Sequence, residues 1–207
     1  MGLLAFPEQN LCCGISVLDR DLKISVGSDE KTVLTDFVVE ELKRRGHTIT
    51  LSGLLKGETM GWPDVGEKIG MEVSSGSADQ GVVFCWTGTG VTIAANKVSG
   101  VRAALCWDAE TAKGARMWDD ANVLAMSLRS TSTAIAKEIL DSWFSSSAVT
   151  AGIDAELIER GKMLDAKHLR STAKWIRMVG PVGFEPTTSA ESLVYGYLHA
   201  LPNFLIP

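Results

Sequence analysis

The chain has 207 residues, 45% hydrophobic and 22% charged, with four cysteines and a formal net charge of −5. That length suits one core-bearing domain with appendages, and the acidic balance, without a Lys/Arg run interleaved with aromatics, argues against nucleic acid as a partner. No apolar run approaches the roughly 20 residues of a membrane span, and scattered His47, His168 and His199 with no C-x-x-C pair suggest no metal; no cofactor is expected.

The opening "MGLLAFPEQNLCCGISVLDRDL" lacks a basic n-region and a long apolar core, so it makes a poor signal peptide. It reads as an irregular extension over 1–22, and the default location is cytoplasmic. Cys12 and Cys13 are adjacent, while Cys85 and Cys106 each end an apolar run. That pattern fits free thiols in a reducing compartment.

From 23 to 147 short apolar runs alternate with amphipathic segments. "KISVG" (23–27), "TITLSGL" (48–54), "GVVFCW" (81–86), "VRAALCW" (101–107) and "NVLAMS" (122–127) read as strands, several apolar throughout, as strands covered on both faces must be. Between them, "VLTDFVVEELKRRGH" spaces Leu34, Phe37, Val38, Glu41 and Leu42 for a helix that stops at Gly46. "PDVGEKIGMEVSSG" opens with Pro63, acceptable in a first turn. "DAETAKGARMWDD" follows the fourth strand. "STSTAIAKEILDSWF" places Ile135, Ile139, Leu140, Trp143 and Phe144 on one stripe, with Ser132 or Thr133 as cap. Strand then helix, repeated, predicts an α/β fold: a three-layer α/β/α sandwich around a five-stranded, mainly parallel, Rossmann-like sheet. Residues 148–177 read as a helical extension suited to a partner subunit, and 178–207 as an irregular tail.

Such sheets bind ligands at the carboxyl ends of their strands, where Asp29, Cys85 with its loop, and Asp108 should emerge. In "CWTGTGVTIAANK", Gly88 and Gly90 permit a tight turn before a helix. The turn amides and the hydroxyls of Thr87 and Thr89 could receive an oxyanion or phosphate. A thiol at the lip of that turn, facing an open cavity, would be a usable base or nucleophile. Spacing alone is a weak signal, and a strand-end cysteine is more often a small core residue, which is the plain reading of Cys85. Asp29 has its own plain reading as the cap of the following helix.

The stretch from Gly81 to Arg129 is similar to the ribose-5-phosphate isomerase B family, which includes the galactose-6-phosphate isomerase subunits. The matching residues are Cys85, Thr87, Gly88, Gly90, Ala94 to Lys97, Gly100 to Ala103, Asp120 and Asn122 to Ala125, with "KISVGSD" resembling the family's first strand. The resemblance, over about 23–145, implies an aldose–ketose isomerase that moves a proton between C1 and C2 through a cis-enediolate, with Cys85 as base. It implies that Thr87 and the Gly88–Gly90 amides steady the enediolate, that Asp29 contacts the ring oxygen or nearby hydroxyls, and that Asn96 braces the pocket. The implied partners are a sugar or sugar phosphate and a second copy, as homodimer or tetramer, which completes the site.

This chain departs from the family at telling positions. Trp118, followed by Asp119, stands at the ring-opening histidine; Glu30 replaces a phosphate-contacting histidine; Trp62 replaces the tyrosine of "D-Y-P"; Trp86 replaces the glycine after the cysteine. Indole cannot accept and return a proton as imidazole does, and a carboxylate opposes a phosphate dianion. Arg129 remains as the clear phosphate partner beside Thr89, and Arg160 or Arg170 can be offered for the arginines of the C-terminal helix. The changes point to an altered substrate, either already open-chain, such as a tetrulose phosphate, or held by aromatic stacking. The plain reading of the three tryptophans is packing. A rival function is a non-catalytic, sugar-phosphate-binding subunit. Relatives begin near Leu22, so 1–22 reads as an overextended start. "GPVGFEPTTS" resembles a peptide translated from the complement of a transfer-RNA gene, so residues from about Met178 read as spurious, against the rival of a genuine extension over a partner.

Overall fold

The alternating pattern closes, in a computed structural model that describes residues 21–179 (backbone only for 165, 166 and 169–179), into a parallel sheet covered on both faces. The strands are β1 (Lys23–Ser28), β2 (Thr48–Gly53), β3 (Gln80–Cys85), β4 (Ala103–Leu105) and β5 (Val123–Ser127). Their spatial order is β2-β1-β3-β5-β4, and every neighbouring pair is parallel. The helices are α1 (Val33–Arg44), α2 (Trp62–Ser74), α3 (Thr89–Ala95), α4 (Ala109–Asp119), α5 (Thr133–Ser145) and α6 (Ile153–Val179). The predicted α/β sandwich is therefore the observed fold, and among the described residues the segment after α5 holds one helix. Compact units divide at residue 159/160, so α6 straddles that boundary in sequence. The expectations for 1–20 and 180–207 lie outside the described residues.

Strand alternation decides which helix each side chain meets. Ile24, Val26, Val82, Phe84, Leu124 and Met126 point to one face and pack with α1, α4 and α5. Val83, Cys85, Val123 and Ala125 point to the other, against α2 and α3. The largest fully buried side chain, Trp143 of α5, keeps its indole N–H satisfied by donating to the Gln80 side chain at 2.7 Å, as a buried tryptophan requires. On the second face α2 and α3 approach closely: a Cβ on Gly66 would lie 2.6 Å from the Ala94 Cβ. Glycine is what permits that spacing.

Helix starts follow local chemistry. Ser132 caps α5, its hydroxyl accepting from the Ile135 amide at 3.2 Å. Thr32 caps α1 in a reciprocal capping box with Thr35. The reading of Asp29 as that cap is thereby corrected, since a threonine three residues on already satisfies the first turn. Glu41 of α1, read as a helical-spacing position, is buried and held by Arg44 and Arg45, and Arg45 also reaches Asp141 of α5. These cations bring the Glu41 carboxyl down to about 2, the Arg44 hydrogen bond being the largest cause.

Connections from β1 and β3 leave on opposite faces, β1 to α1 and β3 to α3. Chain reversal of this kind opens a crevice between the two carboxyl ends. Asp29 and Cys85 stand there, because Ser28 pairs with Phe84.

Candidate active site

The turn after β3 is closed by its own backbone. The Gly88 amide donates to the Cys85 carbonyl at 3.1 Å, and the Thr92 amide donates to Gly88 O at 3.3 Å. Gly88 has φ of +76° and is buried; a Cβ there would lie 2.5 Å from Leu105 Cδ1 and 3.1 Å from the Met126 carbonyl carbon. Both facts demand glycine. Thr87 and Thr89 are exposed and share a hydroxyl hydrogen bond of 2.7 Å across the turn. First-turn amides of a helix have no intrahelical acceptor, and no side chain caps those of α3.

The thiol itself differs from the sequence expectation. Cys85 is 4% exposed and belongs to the apolar cluster with Val83, Val91 and Ala125. It does not stand at an open lip. The reason is parity: β3 is a central strand, and its fifth buried position points under α2 and α3. Asp29 is partly buried; its Oδ1 is enclosed and has no hydrogen-bond partner within the described residues. Desolvation, with the neighbouring Glu30 charge adding to it, raises its pKa against the opposing pull of a backbone hydrogen bond. Glu30 is exposed, its amide donating to the Ser28 hydroxyl at 3.2 Å.

Trp86 follows the thiol and is 57% exposed. Its carbonyl is held twice, by the Arg129 amide at 3.0 Å and the Ser127 hydroxyl at 3.0 Å. Arg129 is thus tied beside the turn, with an exposed side chain. Trp62 opens α2 and is 43% exposed. A Cβ on Gly90 would lie 3.0 Å from its indole, so the ring is seated on the glycine turn.

Asn96 proves to be a brace for the edge strand. Its amide donates to Ala103 O and accepts from Ala103 N, both at 2.8 Å, supplying β4 with the pairing that an edge strand lacks. Asn122 does the same for the approach to β4, accepting from Arg102 N and donating to Gly100 O. The motifs "IAANK" and "NVLA" therefore clamp one loop from two sides.

Trp118 and Asp119 lie apart from this group. They end α4 and lead through Asp120 (φ 48°) into β5, whose Val123 pairs with Gly81 at the start of β3, whereas Cys85 pairs with Ser127. Roughly 13 Å of parallel strand separates the two levels. The Trp118 ring folds back onto Gly114, where a Cβ would lie 2.9 Å from it. Burial raises the Asp119 pKa. Within one chain, then, Cys85, Thr87 to Gly90, Asp29, Trp62, Trp86 and Arg129 come together, and Trp118 and Asp119 do not.

Two residues escape a reading of the sequence. Ser127 pins the Trp86 carbonyl, and its only signal is a hydroxyl ending an otherwise apolar strand. Trp107, 64% exposed after β4, hydrogen-bonds Asp108, and its signal is a second Cys-Trp pair. Asp108 emerges at the carboxyl edge as expected and caps α4, accepting from Thr111 N at 2.7 Å.

The sequence profile of the Ribose/Galactose Isomerase family matches residues 24–159. The chain belongs to that family. It is 33% identical over 126 residues to the ribose-5-P isomerase B of Listeria innocua, covering 60% of this chain and 85% of that one. It is 36% identical over 124 residues to the D-erythrulose-4-phosphate isomerase of Pectobacterium atrosepticum, covering 59% and 82%. Among solved structures, ribose-5-phosphate isomerase B of Clostridium thermocellum superposes with a TM-score of 0.65 at 35% identity, covering 70% of this chain and 99% of that chain. This family member is accordingly a sugar-phosphate isomerase of the aldose–ketose type. Among the described residues no helix is long and apolar enough to cross a membrane, and no group of three or more His, Cys, Asp or Glu is placed to hold a metal ion.

Proposed function

We propose that the Cys85 thiolate is the base of an aldose–ketose isomerisation whose substrate is an acyclic, four-carbon ketose phosphate. The thiolate removes a proton from C1 of the ketose; the electron pair becomes the C1–C2 double bond, and the carbonyl oxygen takes the negative charge. Passage of the O1 proton to O2 and return of the carbon proton to C2 give the aldose and restore the thiolate, with no net redox change. The turn amides and Thr87 face the charge that develops, a term worth several kcal/mol in comparable sites. Asp29, whose pKa is raised by burial, exchanges protons with the substrate hydroxyls. Arg129 meets the phosphate.

The observation that carries this reading is the placement of Cys85, the glycine turn and Asp29 at one strand crevice. The substrate class follows from Trp118. A tetrose 4-phosphate cannot form a furanose, because the hydroxyl that would close the ring carries the phosphate. Ring opening is then unnecessary, and an indole at the position of the family's histidine loses nothing. The named activity of the Pectobacterium relative supports the same class. A second copy of the chain, in a homodimer or larger assembly, would bring Trp118 and Asp119 to the site that they do not reach within one chain.

Incubation of the protein in deuterated water with D-erythrulose 4-phosphate, D-ribulose 5-phosphate and D-ribose 5-phosphate tests the proposal. Solvent deuterium should enter C1 or C2 with the tetrulose phosphate, and the cyclic ribose 5-phosphate should be the poorest substrate. Binding without exchange for every sugar would favour a non-catalytic subunit and end the proposal.

A further inference from the structure

The chain leaves β3 with its peptide planes out of alternation. In a pleated strand successive carbonyls face opposite neighbours, yet those of Cys85 and Trp86 both face the end of β5. Cys85 O accepts from the Leu128 amide at 3.1 Å. Trp86 O accepts from the Arg129 amide at 3.0 Å and from the Ser127 hydroxyl at 3.0 Å. The Trp86–Thr87 plane has therefore turned, and two donors hold it there. No peptide bond among the described residues is cis, and a trans peptide carries its N–H antiparallel to its C=O in one plane. With the Trp86 carbonyl aimed at β5, the Thr87 N–H is aimed the other way. Because β3 lies between β5 and β1, that direction is toward the end of β1, where Asp29 stands. Among the described residues no acceptor takes this N–H.

Ser127 is the side-chain anchor of that plane. It is buried, at the end of β5 and paired with Cys85. Its Oγ also accepts from the Ser130 amide at 3.3 Å, so the hydroxyl is used both as acceptor and as donor. The Ser130 bond closes the loop that follows β5, whereas the Trp86 bond crosses to another loop and fixes a peptide plane. We infer that Ser127 is a positioning residue for the isomerisation: its hydroxyl holds the Trp86–Thr87 peptide so that the Thr87 N–H meets the oxygen on which charge develops. The inference rests on the isomerase reading above and names the residue that aims one of its donors. A donor aimed at developing charge acts in the transition state more than on the bound sugar, so loss of its aim lowers kcat and leaves KM alone.

Ser127→Ala leaves the plane to the Arg129 amide. Its kinetics are measured with the fastest substrate among D-erythrulose 4-phosphate, D-ribulose 5-phosphate and D-ribose 5-phosphate. The kcat should fall about tenfold, less than the roughly hundredfold that follows complete loss of such a donor. KM and the inhibition constant of inorganic phosphate should stay within about twofold, because Arg129 keeps its own tie. Ser127→Thr retains the hydroxyl and should recover most of kcat. Ser132→Ala strips the cap of α5 from the same loop and should lower the melting temperature while leaving kcat near wild type. A wild-type kcat in Ser127→Ala overturns the positioning role and leaves the isomerase standing. So does a rise in KM and in the phosphate inhibition constant at unchanged kcat, which would assign the hydroxyl to the Arg129 loop. An equal fall of kcat in Ser132→Ala overturns it as well, reducing the effect to a loosened loop. A wild-type protein that exchanges deuterium into none of the three sugars brings down the isomerase reading, and the role of Ser127 with it.

Discussion

A Cys-Trp pair stands at the carboxyl end of both β3 and β4, Cys85-Trp86 closing the first and Cys106-Trp107 following the second, and in both pairs the thiol is buried and the indole exposed. Side-chain parity separates them. Cys85 points to the α2–α3 face, whereas Cys106 points to the α1–α4–α5 face, where it is fully buried and its thiol donates to Ala104 O. Burial, with Asp108 and Asp119 adding their charges, pushes the Cys106 thiol up to about 12. The residues C-terminal to each pair differ too. After Trp86 come two glycines and two threonines and a backbone turn; after Trp107 comes Asp108, whose carboxylate closes the first turn of α4. The start of α3 carries no side-chain cap, and that of α4 is capped by a carboxylate. Both thiols are packed; on the proposed reading only the one beside the uncapped turn also serves as a base.

Replacing each cysteine by alanine tests this contrast most severely. Cys85→Ala should lower turnover by about 10²–10⁴-fold, the usual range for a lost general base, at the cost of about 1 kcal/mol expected for truncating a small buried side chain. Cys106→Ala should leave turnover near wild type while costing about 1 kcal/mol of stability, the scale of a small core truncation. Activity assays and denaturant titrations on both variants read out the difference. Equal losses of activity would place the chemistry outside the β3 turn.

The two turns should also differ in what they tolerate. Gly88→Ala forces a side chain into the left-handed region and toward Leu105 and the Met126 backbone. A loss of roughly 2–3 kcal/mol is expected, together with a displaced turn and falling activity. Asp108→Ala removes a single exposed cap, so its cost in denaturant titration should be the smaller and its effect on turnover slight. A Gly88→Ala protein as stable as the wild type would mean that the turn is not held as described.

Much of this contrast is legible in the sequence, and the rest is not for identifiable reasons. The five strands and their helices can be read because fully apolar runs and 3.6-residue stripes carry local information. Gly88 and Gly90 announce the turn for the same reason. The plain reading of Cys85 as a small core residue is legible in its apolar run, but the face it meets is not, because that depends on register with β1 and β5, which no local pattern contains. The structural role of Asn96 is hidden likewise, since its partner Ala103 is set by the path of the intervening loop. Trp118 and Asp119 sit in the chain close to the strand that precedes Arg129, yet a parallel strand carries the two ends to opposite edges of the sheet. Proximity in sequence misleads there because β5 intervenes.

The carboxylates beside the two turns supply the finest test, since burial and capping move their pKa values in opposite directions. Asp29 is raised, chiefly by desolvation, and Asp108 is lowered, chiefly by the Thr111 amide hydrogen bond. A raised carboxyl binds its proton more tightly in the folded state, so its contribution to stability falls as pH rises from the unfolded value of 3.8 through the folded one. A lowered carboxyl does the reverse: its contribution is present above 3.8 and is lost as pH falls through the folded value. Asp29→Asn should therefore melt higher than the wild type at neutral pH, with the gap closing in acid, and should isomerise poorly. Asp108→Asn should melt slightly lower at neutral pH, again with the gap closing in acid, and should keep its turnover. Thermal melts from pH 3 to 8, paired with the deuterium-exchange assay, measure both. The same sign of shift for the two variants would mean that Asp29 has found a partner like that of Asp108, and its enclosed oxygen would then be satisfied by the protein instead of waiting for a substrate hydroxyl.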